Sequence, residues 1–560
     1  MKRKIILALS LVAILTVLFA ISVSAAEPVE TWDISATEND SVTAYIYENV
    51  EKSGTYTLSI SGMGDMLIWD HYNRVPWRSY CSNITSAIIE NGVTRISDYM
   101  FYYHDKLTDI VIPDSVISVG AYAFYSCTAV KSITIGKSIT DIGYSVFGKC
   151  YGLESIIVSE ENTSYKSIDG NLYSYDGKTI IQYAIGKTNE TVIIPMDVTK
   201  IGNSAFEDCR KFNTVEIPES VTDIGSRAFI HCNMLKNLII PEGLKAIGDS
   251  AFYDCIGLTT VEIPDSVTII GTLAFSNCYN IKSVVIGSGV TQMGNGAFEY
   301  CRSLKEIKVS DKNTSYKSIN GNLYSHDGKE LVQYAIGKID KSFVVSSNVT
   351  SIGNYAFANC PYLTKVVVPR SVTSMGYSVF SYCYNLTVYC EIESKPKGWA
   401  RSWNESSPSR IPVVWDYKNV VKNDVLTFKG YSFGESGAIA VGYDIDYERK
   451  AFYEELTGES LEIGVLFAGF DNLGGNQPLG ENGEAIVLNV GKVIKADLTE
   501  FSYKNYDFVL TDIDDSIKDV LLVISAYIYD GEVVKYIQEN GISDTVAGIS
   551  YNEAKESVAQ

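Results

Sequence analysis

Eleven cysteines and four histidines are the residues of this 560-residue chain whose types admit nucleophilic, redox or metal chemistry. Five of them, Cys209, Cys232, Cys255, Cys278 and Cys301, recur every 23 residues. Evenly spaced cysteines in an exported chain suggest a disulfide framework. A constant period argues against one, because it stacks the side chains in a single column with parallel Cα–Cβ vectors, and a bridge needs Cβ atoms that converge. Free cysteine is also among the most buried residue types. The expectation is a column of buried free thiols, with Cys390, seven residues past Cys383 and out of register, as the exception. No Cys-x-x-Cys pair occurs, which removes the usual zinc framework.

Nucleophilic catalysis needs a base, most often histidine. His104 lies 23 residues after Cys81 and 23 before Cys127, so it substitutes in the cysteine column and reads as a packing residue. His231 adjoins Cys232, His326 takes the place of Tyr175 in a duplicated segment, and His71 precedes the repeats. Residues 420–560 contain neither His nor Cys, so Ser-His, Cys-His and His-ligated metal schemes have no footing there. Asp512-Ile-Asp514-Asp515 lacks the central Gly and closing Glu of an EF-hand loop. Asn472-Leu-Gly474-Gly475 follows no strand-to-helix phosphate pattern. Carboxylate pairs of the glycosidase kind remain, but Asp and Glu are abundant and read as solvated. No catalytic residue, metal site or cofactor is assigned, and the chain reads as non-enzymatic.

The cysteines belong to a longer repeated unit. Pro or Gly lies fourteen residues before them (Pro218, Pro241, Pro264), an aliphatic residue eleven before (Val221, Leu244, Val267) and Phe three before (Phe229, Phe252, Phe275). A Gly follows an aliphatic residue at seven before, and an apolar residue three after opens an alternating run such as Leu258-Thr-Thr-Val261-Glu-Ile263. Period two marks a half-buried strand, and the proline that follows ends it. The Val-x-x-Ile-Gly-x-x-Ala-Phe-x-x-Cys arm, with apolar spacings of three and four, reads as a turn and a short helical or 3₁₀ return. A fixed period in this range marks stacked units. The fold class expected is a solenoid: one parallel strand per coil, short helical returns, and interior columns of Phe, Ile and Cys.

The unit at Ile263–Ile281, Ile-Pro-Asp-Ser-Val-Thr-x-Ile-Gly-x-x-Ala-Phe-x-x-Cys-x-x-Leu in type, resembles the BspA-like (type 5) leucine-rich repeats of bacterial surface proteins. The resemblance covers about residues 80–390. It implies an extracellular, non-enzymatic binding or adhesion protein, and it carries no ligand with it.

Residues 1–25 read as a signal peptide: Lys2, Arg3 and Lys4, an apolar run from Ile5 to Val23, and a small-x-small site before Ala26-Glu27. A retained signal anchor is the alternative. Residues 26–80 read as an N-terminal cap with a β-hairpin at Thr55–Trp69, as an exposed solenoid end requires. The solenoid proper spans 81–390, with about thirteen ladder strands from Ile84 to Val388, roughly 60 Å at ~4.8 Å each. Two inserts, 159–189 and 310–340, lengthen the cysteine interval to 59 and repeat one another 151 positions apart. Each is expected to hold a strand pair around Asp176-Gly177 or Asp327-Gly328. Such inserts either present a binding edge or are a duplicated block kept by descent. Residues 391–419, with Trp399, Trp403 and Trp415, read as a C-terminal cap and linker. Residues 420–560 read as a mainly antiparallel, sandwich-like β domain with a helix at Tyr447–Leu456.

A net charge of −21 argues against nucleic acid and anionic lipid as partners. No second long apolar stretch follows the leader, so the mature chain is expected to be secreted and monomeric, free or held at the cell surface. The chain carries 39 tyrosines. Those beside the cysteine column, Tyr125, Tyr151, Tyr253, Tyr279 and Tyr300, together with Trp399 and Trp403, are the candidate binding residues. Tyrosine also covers half-exposed positions with no ligand at all. Three functions stay open: recognition of an extracellular protein, recognition of a glycan, and a spacer that presents the C-terminal domain.

Overall fold

In the computed structural model, residues 27–417 are described except 407 and 408, and beyond them the backbone of nine strands between Leu426 and Ser550. The leader at 1–25, the helix expected at Tyr447–Leu456 and the loops at Asn472 and Asp512 lie outside the described residues.

The alternating run forms the strand Thr260–Ile263, with Val261 and Ile263 buried and Thr260 and Glu262 exposed. It pairs in parallel with Ser283–Ile286, and that strand with Glu306–Val309, each partner 23 residues on. Thirteen such strands lie between Ile84 and Cys390, in four parallel runs separated by the two inserts and by a break after Leu238.

Each coil also contributes a second strand, which the apolar spacing did not reveal. Lys200–Ile201, Asp223–Ile224, Ala246–Ile247 and Ile269–Ile270 form a second parallel ladder. The glycine after the isoleucine is required by close approach: a Cβ on Gly248 would stand 2.5 Å from the Ser226 nitrogen of the preceding coil.

The returns are not helical. Among the described residues of 84–415 there is no helix, and the two 3₁₀ turns, Tyr72–Arg74 and Pro76–Tyr80, belong to the cap. Hydrogen bonding between coils is the reason. The N–H groups of Ala205, Glu207 and Cys209 turn back to Gly202, Ser204 and Phe206, whereas those of Ser204, Phe206 and Asp208 donate to Ser226, Ala228 and Ile230 of the next coil. A helix would send every N–H along its own axis and leave the neighbouring coil unbonded. Alternation requires a left-handed residue at every fourth place, here Ser204 (φ 55°) and Asp208 (φ 60°). Each costs roughly 1–2 kcal/mol, offset by the bonds it frees for the neighbour.

The interior columns stack as expected. Ring centroids along Phe206, Phe229, Phe252, Phe275 and Phe298 are 4.8, 5.2, 5.1 and 5.7 Å apart. Each thiol donates to the phenylalanine carbonyl of the preceding coil, as Cys232 does to Phe206 at 3.1 Å. All eleven cysteines are unpaired and ten are buried. The exception is Cys81, half-buried in the cap, and not Cys390, which ends the ladder strand Thr387–Cys390 and is fully buried. The ladder runs on past it to Val413–Trp415.

At the N-terminal end, Glu30–Asp33, Thr43–Glu48 and Tyr56–Ser61 form an antiparallel sheet whose last strand pairs in parallel with Ile84–Ile89. Trp77, fully buried, donates its indole N–H to Met100 at 3.1 Å and seals this end. The inserts each hold three antiparallel strands, not a pair: Tyr165–Ile168, Asn171–Ser174 and Thr179–Gln182, and likewise Tyr316–Ile319, Asn322–Ser325 and Glu330–Gln333. The extra hairpin turns on Asp169-Gly170 and Asn320-Gly321, where both residues have positive φ, the two-residue turn that follows strand twist. The third strand of each insert enters the short-strand ladder and takes the place of a coil. Beyond residue 425 the strand pairs are antiparallel.

Candidate functional site

The cysteine column carries no chemistry. Burial pushes the Cys150 and Cys301 thiols up to about 12, and a thiol without thiolate is neither nucleophile nor ligand. His104 lies within the same column, 1 % exposed, and burial holds its imidazole down to about 4, in the neutral form. Among the described residues no group of His, Cys, Asp or Glu is placed to hold a metal ion.

The seven candidate residues do not converge. Trp399 and Trp403, each 2 % exposed, are core residues: their rings pack against one another at 4.8 Å, and Trp403 extends the Phe column against Phe380. They offer no face to a sugar. Tyr125 is buried under Tyr102, stacked at 5.1 Å. Tyr151 and Tyr279 each lie beneath an arginine of their own chain, Arg210 and Arg302, at 5.3 Å. Tyr253 accepts a hydrogen bond from Asn277. Tyr300 differs: it faces Tyr382 at 5.5 Å across the junction made by the second insert.

Both junctions have one plan. The inserts lack the outer Ala-Phe-x-x-Cys arm, so the arm before each insert faces the arm after it. At the first junction Ser145 donates to Glu207 Oε2 at 2.6 Å, and Arg227 Nη2 donates to Oε1 at 2.9 Å. The Arg227 guanidinium lies over the Tyr144 ring at 5.5 Å. Beside it Asp208 accepts from Arg210 at 2.8 Å and from Tyr151 at 3.5 Å. Burial pushes the Asp208 carboxyl up, but the bonds from His231 and Arg210 outweigh it and hold it below the usual range.

At the second junction, 151 positions on, Asn295 replaces Tyr144, Gly296 replaces Ser145, Ala358 replaces Glu207 and Ser378 replaces Arg227. A carboxylate is still present, supplied from the other side: Glu299, 6 % exposed, with Oε2 3.0 Å from where a Cβ on Gly296 would stand. Burial alone pushes its carboxyl up to about 7. Around it stand Tyr300, Tyr355 and Tyr382, and Tyr377, which accepts from Asn295 Nδ2 at 3.1 Å. The junction encloses a cavity of about 320 Å³ lined by Asn295, Gly296, Asn354, Tyr316, Glu330 and Gln333 among others. Burial, with Asp327 nearby, raises the Glu330 carboxyl as well.

Reading from the sequence picked out Tyr300 but missed Glu299, Tyr355 and Tyr377. A signal existed: two residues before the cysteine the coils carry Tyr125, Gly148, Ile230, Tyr253, Ser276, Ala358 or Ser381, and the carboxylates Glu207 and Glu299 appear only beside the inserts.

A model of the BspA type leucine-rich repeat region matches six copies, over residues 79–175, 178–305 and 336–397, more than half of the chain. The chain belongs to the BspA-type leucine-rich repeat family. No curated protein sequence matches it. Similar solved structures include a leucine-rich repeat protein from Eubacterium ventriosum, 19 % identical, covering 66 % of this chain and 98 % of that one at a TM-score of 0.38. A leucine-rich cell surface protein from Faecalibacterium prausnitzii is 26 % identical over 66 % of this chain and 78 % of its own, with a TM-score of 0.34. The pneumococcal vaccine antigen PcpA is 17 % identical over 68 % and 98 %, with a TM-score of 0.37. All three TM-scores lie below 0.5, so the family assignment rests on the repeat match.

Proposed function

We propose that this BspA-type repeat protein is a non-catalytic protein-binding module that acts outside the cell, in adhesion or at the cell surface. The family match supports a scaffold role, and the buried thiols and the neutral His104 supply no nucleophile or base. Among the described residues no helix is long and apolar enough to cross a membrane. The observation that carries the reading is the second junction, where half-buried tyrosines and a buried carboxylate open on the surface. Aromatic rings around a charged centre are the usual anchors of protein interfaces. Glycan recognition loses its best candidates, because Trp399 and Trp403 are core residues.

The test is binding of the full chain to parallel arrays of extracellular matrix proteins and of glycans. Saturable binding to one or more proteins is expected. Binding to glycans alone would overturn the reading.

A further inference from the structure

Along the arms before the second insert, tyrosines beside the coils carry cations from their own chain. Arg78 lies over Tyr72 at 5.1 Å, Lys149 over Tyr125 at 5.4 Å, and Arg227 over Tyr144 at 5.5 Å. Arg227 shows the full device: a guanidinium held between a ring and a carboxylate, with the arginine 39 % and the Glu207 side chain 2 % exposed. A cation can therefore enter from the solvent side and still meet a carboxylate that is itself buried.

The second junction has the rings and the carboxylate without the cation. Among the described residues no Lys or Arg lies over Tyr300, Tyr355, Tyr377 or Tyr382, and none pairs with Glu299, whose 6 % exposure leaves it little water. Ser378 stands where Arg227 stands at the first junction. Its φ of 52° against 58° shows that the backbone is the same and that only the cationic side chain has gone. Tyr377 and Tyr382, 38 % and 41 % exposed, leave the approach open.

We propose that the second junction receives the guanidinium group of an arginine presented by a partner polypeptide, in the place that Arg227 fills at the first. Glu299 accepts the charged hydrogen bonds and the Tyr300–Tyr382 pair gives the cation a π face. Arginine suits the site better than lysine, because a planar fork can both stack and bond. The chain's net charge of −21 favours a basic partner at long range. This inference rests on the protein-binding reading above and names the chemistry of the partner.

The probe is acetyl-Gly-Arg-Gly-amide, titrated into the full chain at pH 8 and followed by calorimetry, with the citrulline peptide as a neutral isostere. The arginine peptide is expected to bind saturably and the citrulline peptide to lose at least about tenfold in affinity, as the loss of a charged hydrogen bond implies. Glu299→Gln should cost a similar factor. Ser378→Arg should block the site from within while the chain stays folded. Equal binding of the two peptides, or unchanged binding by Glu299→Gln, overturns the inference. The two readings fail separately: if the full chain binds a matrix protein and Glu299→Gln leaves that affinity unchanged, the arginine site is wrong and the protein-binding reading stands. If no protein binds, the reading itself has failed.

Discussion

At the first insert a buried carboxylate, Glu207, meets an arginine of its own chain, whereas at the second the buried Glu299 meets none. Everything that folds the inserts is the same in both. Asn162 and Asn313 each donate to two carbonyls of the coil beneath, at 2.9 and 3.0 Å. Asn171 and Asn322 each accept from an alanine N–H at 3.0 Å, and Gln182 and Gln333 each bridge to the next coil. The scaffold residues are repeated and the residues of the facing arms are not. The first junction is thus an internally neutralised clamp, and the second is the same frame with its charge left for another molecule. Where two copies of a frame are present in one chain, the positions that differ between them are those the frame does not need.

The largest effect should come from breaking the first clamp. Arg227→Ala leaves Glu207, with a side chain 2 % exposed, without its cation. Removing one partner of a buried pair costs several kcal/mol, and the part-exposure of Arg227 reduces this to about 3 kcal/mol. The expected result is a lower urea midpoint for loss of β-sheet signal, compared as midpoints because a long repeat array need not unfold in one step. Removing Glu207 as well, in Glu207→Ala/Arg227→Ala, should restore most of the loss. A loss below about 1 kcal/mol would mean that packing, and not charge, holds the first junction.

The opposite sign is expected at the second. The Glu299 carboxyl is raised from 4.5 to about 7 in the folded chain, so the native state binds its proton more tightly than the unfolded one. Its contribution is therefore neutral below about pH 4.5, worsens as pH rises from there to 7, and is fully unfavourable above 7. Glu299→Gln should leave stability unchanged at pH 4.5 and raise it at pH 8 by up to about 2 kcal/mol. Midpoints measured at both pH values check this. A variant that is less stable than the parent at pH 8 would show that the carboxylate has a partner within the chain and would erase the difference between the junctions.

The solenoid was legible because its cause is periodic: a Phe, an Ile-Gly and a Cys at fixed offsets can only stack. The returns were misread because spacings of three and four are shared by a helix and by a turn that alternates its bonds between coils. The left-handed residues that decide the matter, such as Arg227, Leu273 and His231, carry no glycine signature. The extra hairpin was visible in Asp169-Gly170 and Asn320-Gly321, and the stronger Asp176-Gly177 drew attention from it. Trp399 and Trp403 misled for the opposite reason: they continue the core past Cys390 with intervals no longer of 23, so a period search loses them and composition alone makes them look like a surface cluster. The junction itself could not be read, because facing arms 59 residues apart meet only once the insert has folded away, as Asn295 and Asn354 do at 2.8 Å.

The smallest effect separates backbone strain from ring stacking at one equivalent station ahead of each junction. Tyr122 and Leu273 lie 151 positions apart, both left-handed, at φ 56° and 55°. Tyr122 uses the conformation to stack on Tyr99 at 5.3 Å and to meet Tyr144 edge-on at 5.5 Å. Leu273 has no such ring stack, and its branched side chain bears the full left-handed penalty. Asparagine tolerates this conformation and adds no freedom to the unfolded chain as glycine would. Leu273→Asn is therefore expected to gain about 0.5 kcal/mol, because the relief of backbone strain slightly exceeds the apolar burial given up. Tyr122→Asn gives up the aromatic stacking and should cost about 1 kcal/mol. Urea midpoints for the two variants should move in opposite directions. If both fall equally, side-chain packing governs this station throughout the solenoid, and the first junction differs from the second in its charges alone.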